Sequence, residues 1–343
     1  MANAIEIVFH GRNAASFVEG FDALLEVEAR IRLVPDEPAT EADAEALRRA
    51  DVIIGNRFQA SQPRPERLRL YHVSATGTDG IALDALPPGA TVCNCYGHEP
   101  AMAEYVMAAL LSHQVKLFDA DRRLRKGEWP YRAGAAANIH REIGGRTLGL
   151  LGFGHIGQAV AARAKAFGMA VHVANRSPVP VAGDVDASHG LDDLSAFYAG
   201  ADFVVVSLPL LPETRGLIDA AAFDQMRPDA VLVNVGRGPV VDEAALYEAL
   251  AHRRIGAAII DTWYRYPEAE GDVTAPSRFD FAALDNVVMT PHMSAWTDGT
   301  IRRRQATMAD NINRHFTGRA CNNVVRPAGS PSLTETAGVR RKP

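Results

Sequence analysis

Cysteine is scarce in this chain, with 3 in 343 residues, and tryptophan is equally scarce at 3. Cys93, Cys95 and Cys321 are too few for a disulfide framework, and a reducing cytoplasm suits them. The Cys93–Asn94–Cys95 pair with one distant cysteine lacks the four-ligand spacing zinc wants, so buried thiols and no metal are expected. No apolar run is long enough to span a bilayer. The opening MANAIEIVFHGRN has neither a basic start nor a long apolar core, so no secretory signal is expected. Neither sign of charge dominates. Lys and Arg total 36, Asp and Glu total 41, and the net charge is -5, which points away from a nucleic-acid or membrane surface. What remains is a soluble globular composition, 47% hydrophobic and 22% charged. A chain of this length exceeds one ordinary core, so two domains are expected.

Short apolar runs alternate with helical stretches. AIEIVF, RIRLV, DVIIG and LYHVSA read as strands and EADAEALRRA as a helix, the pattern of a parallel α/β sheet. From Pro100, PAMAEYVMAALLSHQVKLF reads as one long apolar helix, buried in a core or at a subunit interface. A second alternating series opens near Thr147. Its strands are TLGLLGFG, AVHVAN, DFVVVSL, AVLVNVG, IGAAIID and NVVMTPH, and its helices are HIGQAVAARAKAFG, LDDLSAFYAG and DEAALYEALAH. A polar helix runs from about Gly299 to Phe316. The stretch 326–343, rich in Pro, Gly, Ser and Thr, reads as a disordered tail.

Gly152–Phe153–Gly154–His155–Ile156–Gly157 fits G-x-G-x-x-G between a strand and a helix, the context that gives the pattern weight as a dinucleotide site. The first glycine permits the tight turn, the second lets backbone approach a pyrophosphate, and the third lets helix and strand pack. The helix N-terminus then offers amides to the phosphates. At the end of the next strand, where an acidic residue would grip a ribose 2′-hydroxyl, stand Asn175, Arg176 and Ser177. An arginine and a hydroxyl suit a 2′-phosphate, so NADP(H) is favoured and NAD(H) remains possible.

Arg237 and His292 each follow a strand of this second series, as does Asp261 in IDTWYRYP. In an open α/β sheet such positions converge outside the carboxyl ends of the strands. Reduction of a ketone needs a proton for the forming alkoxide, which histidine supplies near neutral pH. A keto acid also needs a cation for its carboxylate, which arginine's fork supplies. In isolation either residue would read as a structural histidine or a surface ion pair.

Together SATGTDGIAL, LGLLGFGHIGQAVAARAKAFGM, SLPLLPETRGLI, LVNVGRGPVVDEAAL, AIIDTW and MTPHMSAWT resemble the D-2-hydroxyacid dehydrogenase family, from about residue 70 to 317. The resemblance implies two doubly wound parallel-sheet domains. One is flavodoxin-like and substrate-binding, from 1–98 plus 293–325, and the other is a Rossmann-type cofactor domain over 99–292. It implies an NAD(P)-dependent oxidoreductase for a small 2-keto or 2-hydroxy acid, similar to glyoxylate/hydroxypyruvate reductases. It further implies a cytoplasmic homodimer joined through the cofactor domain, with the Pro100 helix contributing. Carried over by position, Arg237 orients the substrate and His292 is the acid in reduction and the base in oxidation. Thr76 and Gly77 hold the carboxylate through backbone amides. Leu208, Pro209, Thr214, Val235 and Gly236 line the cofactor, and Asp261 meets its carboxamide end.

One position departs from the family. The glutamate that pairs with the histidine, five residues after the aspartate, is Tyr266 here. A phenol orients an imidazole by hydrogen bonding but lacks the charge that raises its pKa. His292 is therefore expected to titrate lower, and keto-acid reduction to weaken sooner as pH rises. Glu268 or Glu270 folding back is an alternative. So is chemistry without a proton relay, as in formate dehydrogenases, which have glutamine there and a DVW like the DTW here, but asparagine where this chain has His98. A dinucleotide-sensing scaffold is a third reading. His98 and Glu99 read either as substrate-reaching groups or as a hinge histidine and a helix-start carboxylate. Trp263, Tyr264 and Trp296 read as pocket wall or as packing.

Overall fold

The computed structural model describes residues 4–134, 138–267 and 271–330. The chain divides into two compact units, Met1–Gly97 with Thr297–Pro343, and His98–Trp296.

The first unit holds β1 (Ile5–His10), α1 (Arg12–Ala15), β2 (Ala29–Val34), α2 (Glu41–Arg49), β3 (Val52–Gly55), β4 (Leu70–Val73), β5 (Thr91–Cys93), α9 (Asp298–Phe316) and β13 (Val324–Arg326). Its sheet runs β13-β5-β4-β3-β1-β2, parallel except for β13 against β5. The five parallel strands have the 2-1-3-4-5 order of flavodoxin-like sheets. The central strands VIIG and LYHV are buried throughout, as expected of parallel strands covered on both faces. A capping box between Thr40 and Asp43 starts α2, and the Thr297 side chain caps α9. Arg326, the first residue of the expected tail, is instead anchored. It closes β13 and its guanidinium donates to the carbonyls of Leu83 (2.6 Å) and Pro87 (2.9 Å). Residues 331–343 of that tail lie outside the described residues.

The second unit holds α3 (Glu99–Val115), α4 (Leu117–Leu124), β6 (Thr147–Leu151), α5 (His155–Ala166), β7 (Ala170–Ala174), β8 (Ala187–His189), α6 (Ser195–Gly200), β9 (Phe203–Val206), α7 (Ala220–Gln225), β10 (Val231–Asn234), α8 (Glu243–Ala251), β11 (Ala257–Ile260) and β12 (Val287–Met289). Its sheet, β12-β11-β10-β9-β6-β7-β8, is parallel throughout. Counted from β6, the order begins as the 3-2-1-4-5-6 of dinucleotide-binding folds, with the switch between β6 and β9.

Two helices differ from the sequence reading. The long Pro100 helix is broken at Lys116, which stands in the left-handed region at φ 59° and separates α3 from α4. The LDDLSAFYAG helix begins only at Ser195, and just before it the Asp193 carboxylate accepts the Ser195 amide (3.1 Å) in a local turn. Cys93 and Cys95 are buried as expected, whereas Cys321 is only partly so.

Candidate active site

The site lies in the second unit, at the carboxyl ends of β6, β9, β10, β11 and β12, which are consecutive neighbours in the sheet. Gly152 leaves β6 at φ 102°, a conformation L side chains rarely adopt. Its carbonyl accepts the Ser207 hydroxyl beyond β9 (3.2 Å), which ties the turn to the switch point. A Cβ on Gly157 would collide with the Gly152 carbonyl, so helix and turn pack only because that position is bare. Gly154, the residue before α5, faces open space within 4 Å. An exposed turn at the start of a 12-residue helix fits a pyrophosphate. His155 is exposed, with Nδ1 4.0 Å from the Glu99 carboxylate, and Ile156 packs on the core beneath. Asn175 accepts the Phe153 amide (3.3 Å) and donates to the Ser177 carbonyl (3.0 Å). Arg176 and Ser177 are exposed beside it, and Arg176 pairs with Glu213 at 3.8 Å.

The far wall follows β9 and β10. Thr214 is buried and folds its own loop, donating to the Pro209 carbonyl (2.7 Å) and accepting the Leu211 amide (2.8 Å). Leu208 and Val235 are buried and Pro209 is exposed. Gly236 lies so close to Leu208 that a Cβ would stand 2.8 Å from its carbonyl oxygen. Arg237 is half-buried and its guanidinium donates to the Gly236 carbonyl (3.0 Å).

Beyond β11 and β12, Asp261 anchors the turn that carries His292. Asp261 is fully buried. One carboxylate oxygen accepts the Thr290 hydroxyl (2.6 Å) and the Met293 amide (2.8 Å), and the other accepts the Ser294 amide (3.0 Å). The Thr290 hydroxyl gives its one proton to Asp261, so the Tyr105 hydroxyl must donate to Thr290 (2.6 Å). These bonds enclose His292, which stands at φ 59°, a strained conformation for a non-glycine residue. His292 keeps an exposed face. Loss of water on its packed side lowers its pKa, the Asp261 charge opposes this, and the Arg237 charge adds to it.

Tyr266 does touch His292, with ring centroids 5.6 Å apart and planes at 49°. Its hydroxyl, however, accepts the Trp263 amide (2.9 Å). Among the described residues no hydrogen bond joins it to the imidazole, so the contact is a tilted ring-to-ring one. Burial raises the Tyr266 pKa, which keeps the phenol neutral. Glu268 and Glu270 lie outside the described residues. Trp263 is packing rather than wall. It is buried edge-on to Phe281, and its indole donates to the Thr290 carbonyl (2.9 Å). Tyr264 likewise turns to the core and donates to the Val241 carbonyl (3.1 Å), while Trp296 is exposed.

His98 and Glu99 open α3, with Nδ1 and carboxylate 3.7 Å apart. Thr76 and Gly77 lie in the first unit after β4, where the Thr76 hydroxyl donates to the Cys95 carbonyl (3.0 Å). Sequence reading missed Tyr105, Thr290 and Glu213. Tyr105 is hidden in an apolar helix, and Thr290 precedes Pro291–His292 without any pattern marking it as a clamp. Among the described residues no cluster of His, Cys, Asp or Glu would hold a metal, and no helix is long and apolar enough to cross a membrane.

Residues 107–294 match the family described as "D-isomer specific 2-hydroxyacid dehydrogenase, NAD binding domain". The chain belongs to the D-isomer specific 2-hydroxyacid dehydrogenase family. It is 33% identical over 319 residues to glyoxylate/hydroxypyruvate reductase B of Salmonella typhi, covering 88% of this chain and 93% of that protein. It is also 32% identical to D-3-phosphoglycerate dehydrogenase of Methanocaldococcus jannaschii over 78% of this chain, and spans 49% of that longer protein. Among solved structures, a family member from Xanthobacter autotrophicus Py2 in complex with NADPH and MES superposes with a TM-score of 0.75 at 28% identity, over 94% of this chain and 98% of that one. A 2-hydroxyacid dehydrogenase from Ketogulonicigenium vulgare Y25 gives 0.78 at 25% identity, over 95% and 100%. The family makes this chain an NAD(P)-dependent oxidoreductase.

Proposed function

We propose that this enzyme reduces a small 2-keto acid of the glyoxylate or hydroxypyruvate class, with NADP(H) preferred over NAD(H), and runs the reverse oxidation of the 2-hydroxy acid. One observation carries the reading: the turn that presents His292 is clamped at the end of β12, two strands from Arg237, in the same unit as the glycine cradle. When bound, the nicotinamide supplies or accepts the hydride. Arg237 draws the substrate carboxylate and carbonyl into place by its forked donors, with backbone amides at Thr76 and Gly77 as the proposed further anchors and His98 as a substrate contact. His292 gives its proton to the oxygen that becomes alkoxide, and in oxidation takes it back. Gly152 to Gly157 and the start of α5 hold the pyrophosphate, Asn175 to Ser177 the 2′-phosphate, and Leu208, Pro209, Thr214, Val235 and Gly236 the remaining surface.

We further propose a homodimer through the cofactor unit. Leu117, Phe118 and Leu124 on α4, with Trp129 just after it, are exposed apolar residues of the kind that mark association. The free thiols suit a cytoplasmic setting.

The experiment follows NADPH and NADH absorbance with glyoxylate, hydroxypyruvate and phenylpyruvate. His292→Ala should lower kcat about 10²- to 10⁴-fold, the usual worth of a general acid, with NADPH still bound. Failure of the unmodified enzyme to turn over any keto acid while it binds NADPH would overturn the reading.

A further inference from the structure

The family histidine has a glutamate partner, and here that place is filled by a phenol whose hydroxyl accepts the Trp263 amide. Among the described residues, the charged and titratable groups that act on His292 are Asp261 at the end of β11, Arg237 after β10 and Tyr266 on the loop after β11. Asp261 is the one negative charge among them. It is also the group that ties down the turn on both sides of His292, through Thr290 before it and Met293 and Ser294 after it.

We propose that Asp261 is the positioning residue for His292, clamping its turn at positive φ and supplying the negative charge that position 266 does not. The two tasks of the absent glutamate are thereby split: Tyr266 packs against the ring, and Asp261 supplies charge and sets the pose. Tyr105 extends the device, since its hydroxyl donates to the Thr290 oxygen that in turn donates to Asp261. Asp261 reaches His292 through the backbone, so its carboxylate orients the ring without taking its proton.

The inference rests on His292 being the proton donor, and its test reads the histidine directly. The His292 imidazole is titrated by NMR in the protein without substrate, and NADPH affinity is measured separately by fluorescence. In Asp261→Asn the His292 midpoint should fall by about one pH unit, the lower end for loss of a nearby opposite charge. NADPH affinity is read alongside, because Asp261 is also expected to meet the nicotinamide carboxamide. An unmoved midpoint with weakened NADPH binding would make Asp261 a cofactor contact only and overturn the proposal. Tyr266→Glu should move the midpoint upward, whereas a midpoint unchanged there would show that position 266 does not govern the ring and would overturn the division of tasks. Should Asp261→Asn not fold, Thr290→Val keeps the charge and removes one anchor. It should lower kcat at least tenfold with the midpoint and NADPH affinity held. An unchanged kcat would overturn the clamp. Absence of keto-acid turnover in the unmodified protein, with the midpoints moving as stated, would reject the reaction and leave the clamp standing.

Discussion

Arg176 and Glu213 stand 3.8 Å apart, with side chains 75% and 56% exposed. An ion pair this wet is worth at most about 1 kcal/mol, so a 2′-phosphate bound at Arg176, as proposed, would displace Glu213 at little cost. The remaining carboxylate nevertheless repels that phosphate. Arg176→Ala should therefore raise KM for NADPH about tenfold, equal to about 1.4 kcal/mol, and leave KM for NADH within twofold. Glu213→Gln should lower KM for NADPH and leave NADH alone. Steady-state kinetics with both cofactors check this, and equal losses for both in Arg176→Ala would remove Arg176 from the 2′-phosphate site. The sequence singles out the arginine because it follows a strand about twenty residues past the glycines. It does not single out Glu213, because that residue approaches from a different loop.

At the scale of elements, strands were easier to read than turns. VIIG, FVVV and AAII are continuous apolar runs, and each is a buried parallel strand. The three-residue strands β5 and β8 have too few positions to show a period. The turn from Thr290 to Ser294 was read only for its histidine, because two of its three bonds to Asp261 come from backbone amides, which every residue but proline possesses. The break at Lys116 was equally silent, and it has a consequence. It ends α3 and starts a separate α4 whose Phe118 is 73% exposed, with Trp129 at 66% shortly after. A cavity of about 440 Å³ lies between α3 and the β12 edge, lined by Tyr105, Lys116, Arg253 and Thr290 among others. Phe118→Glu with Trp129→Glu should convert the proposed dimer to a monomer by light scattering. A variant that stays dimeric would place the interface elsewhere.

Part of the chain's response to acid follows from a histidine remote from the chemistry. His72 sits on β4, fully buried against α9. Its Nδ1 faces the Val73 carbonyl (3.1 Å) and its Nε2 faces the Asn311 side-chain amide nitrogen (3.0 Å). A carbonyl can only accept and an amide nitrogen can only donate, so the ring is fixed as the neutral tautomer with the proton on Nδ1. Burial lowers its pKa from 6.5 to about 4. The unfolded chain takes up that proton near 6.5 and the folded chain does not until about 4. The stability His72 contributes is therefore present in full above about 6.5 and is lost progressively as pH falls towards 4, where both states are protonated. His10, in the same unit and also lowered by burial, adds to the same slope. Thermal unfolding from pH 7.5 to 4 should show Tm falling across this window. His72→Gln removes the titration while an amide still offers both a donor and an acceptor. It should begin less stable at pH 7.5 and lose less on acidification, so that the two curves converge near pH 4. Parallel curves would mean that His72 does not carry the acid sensitivity.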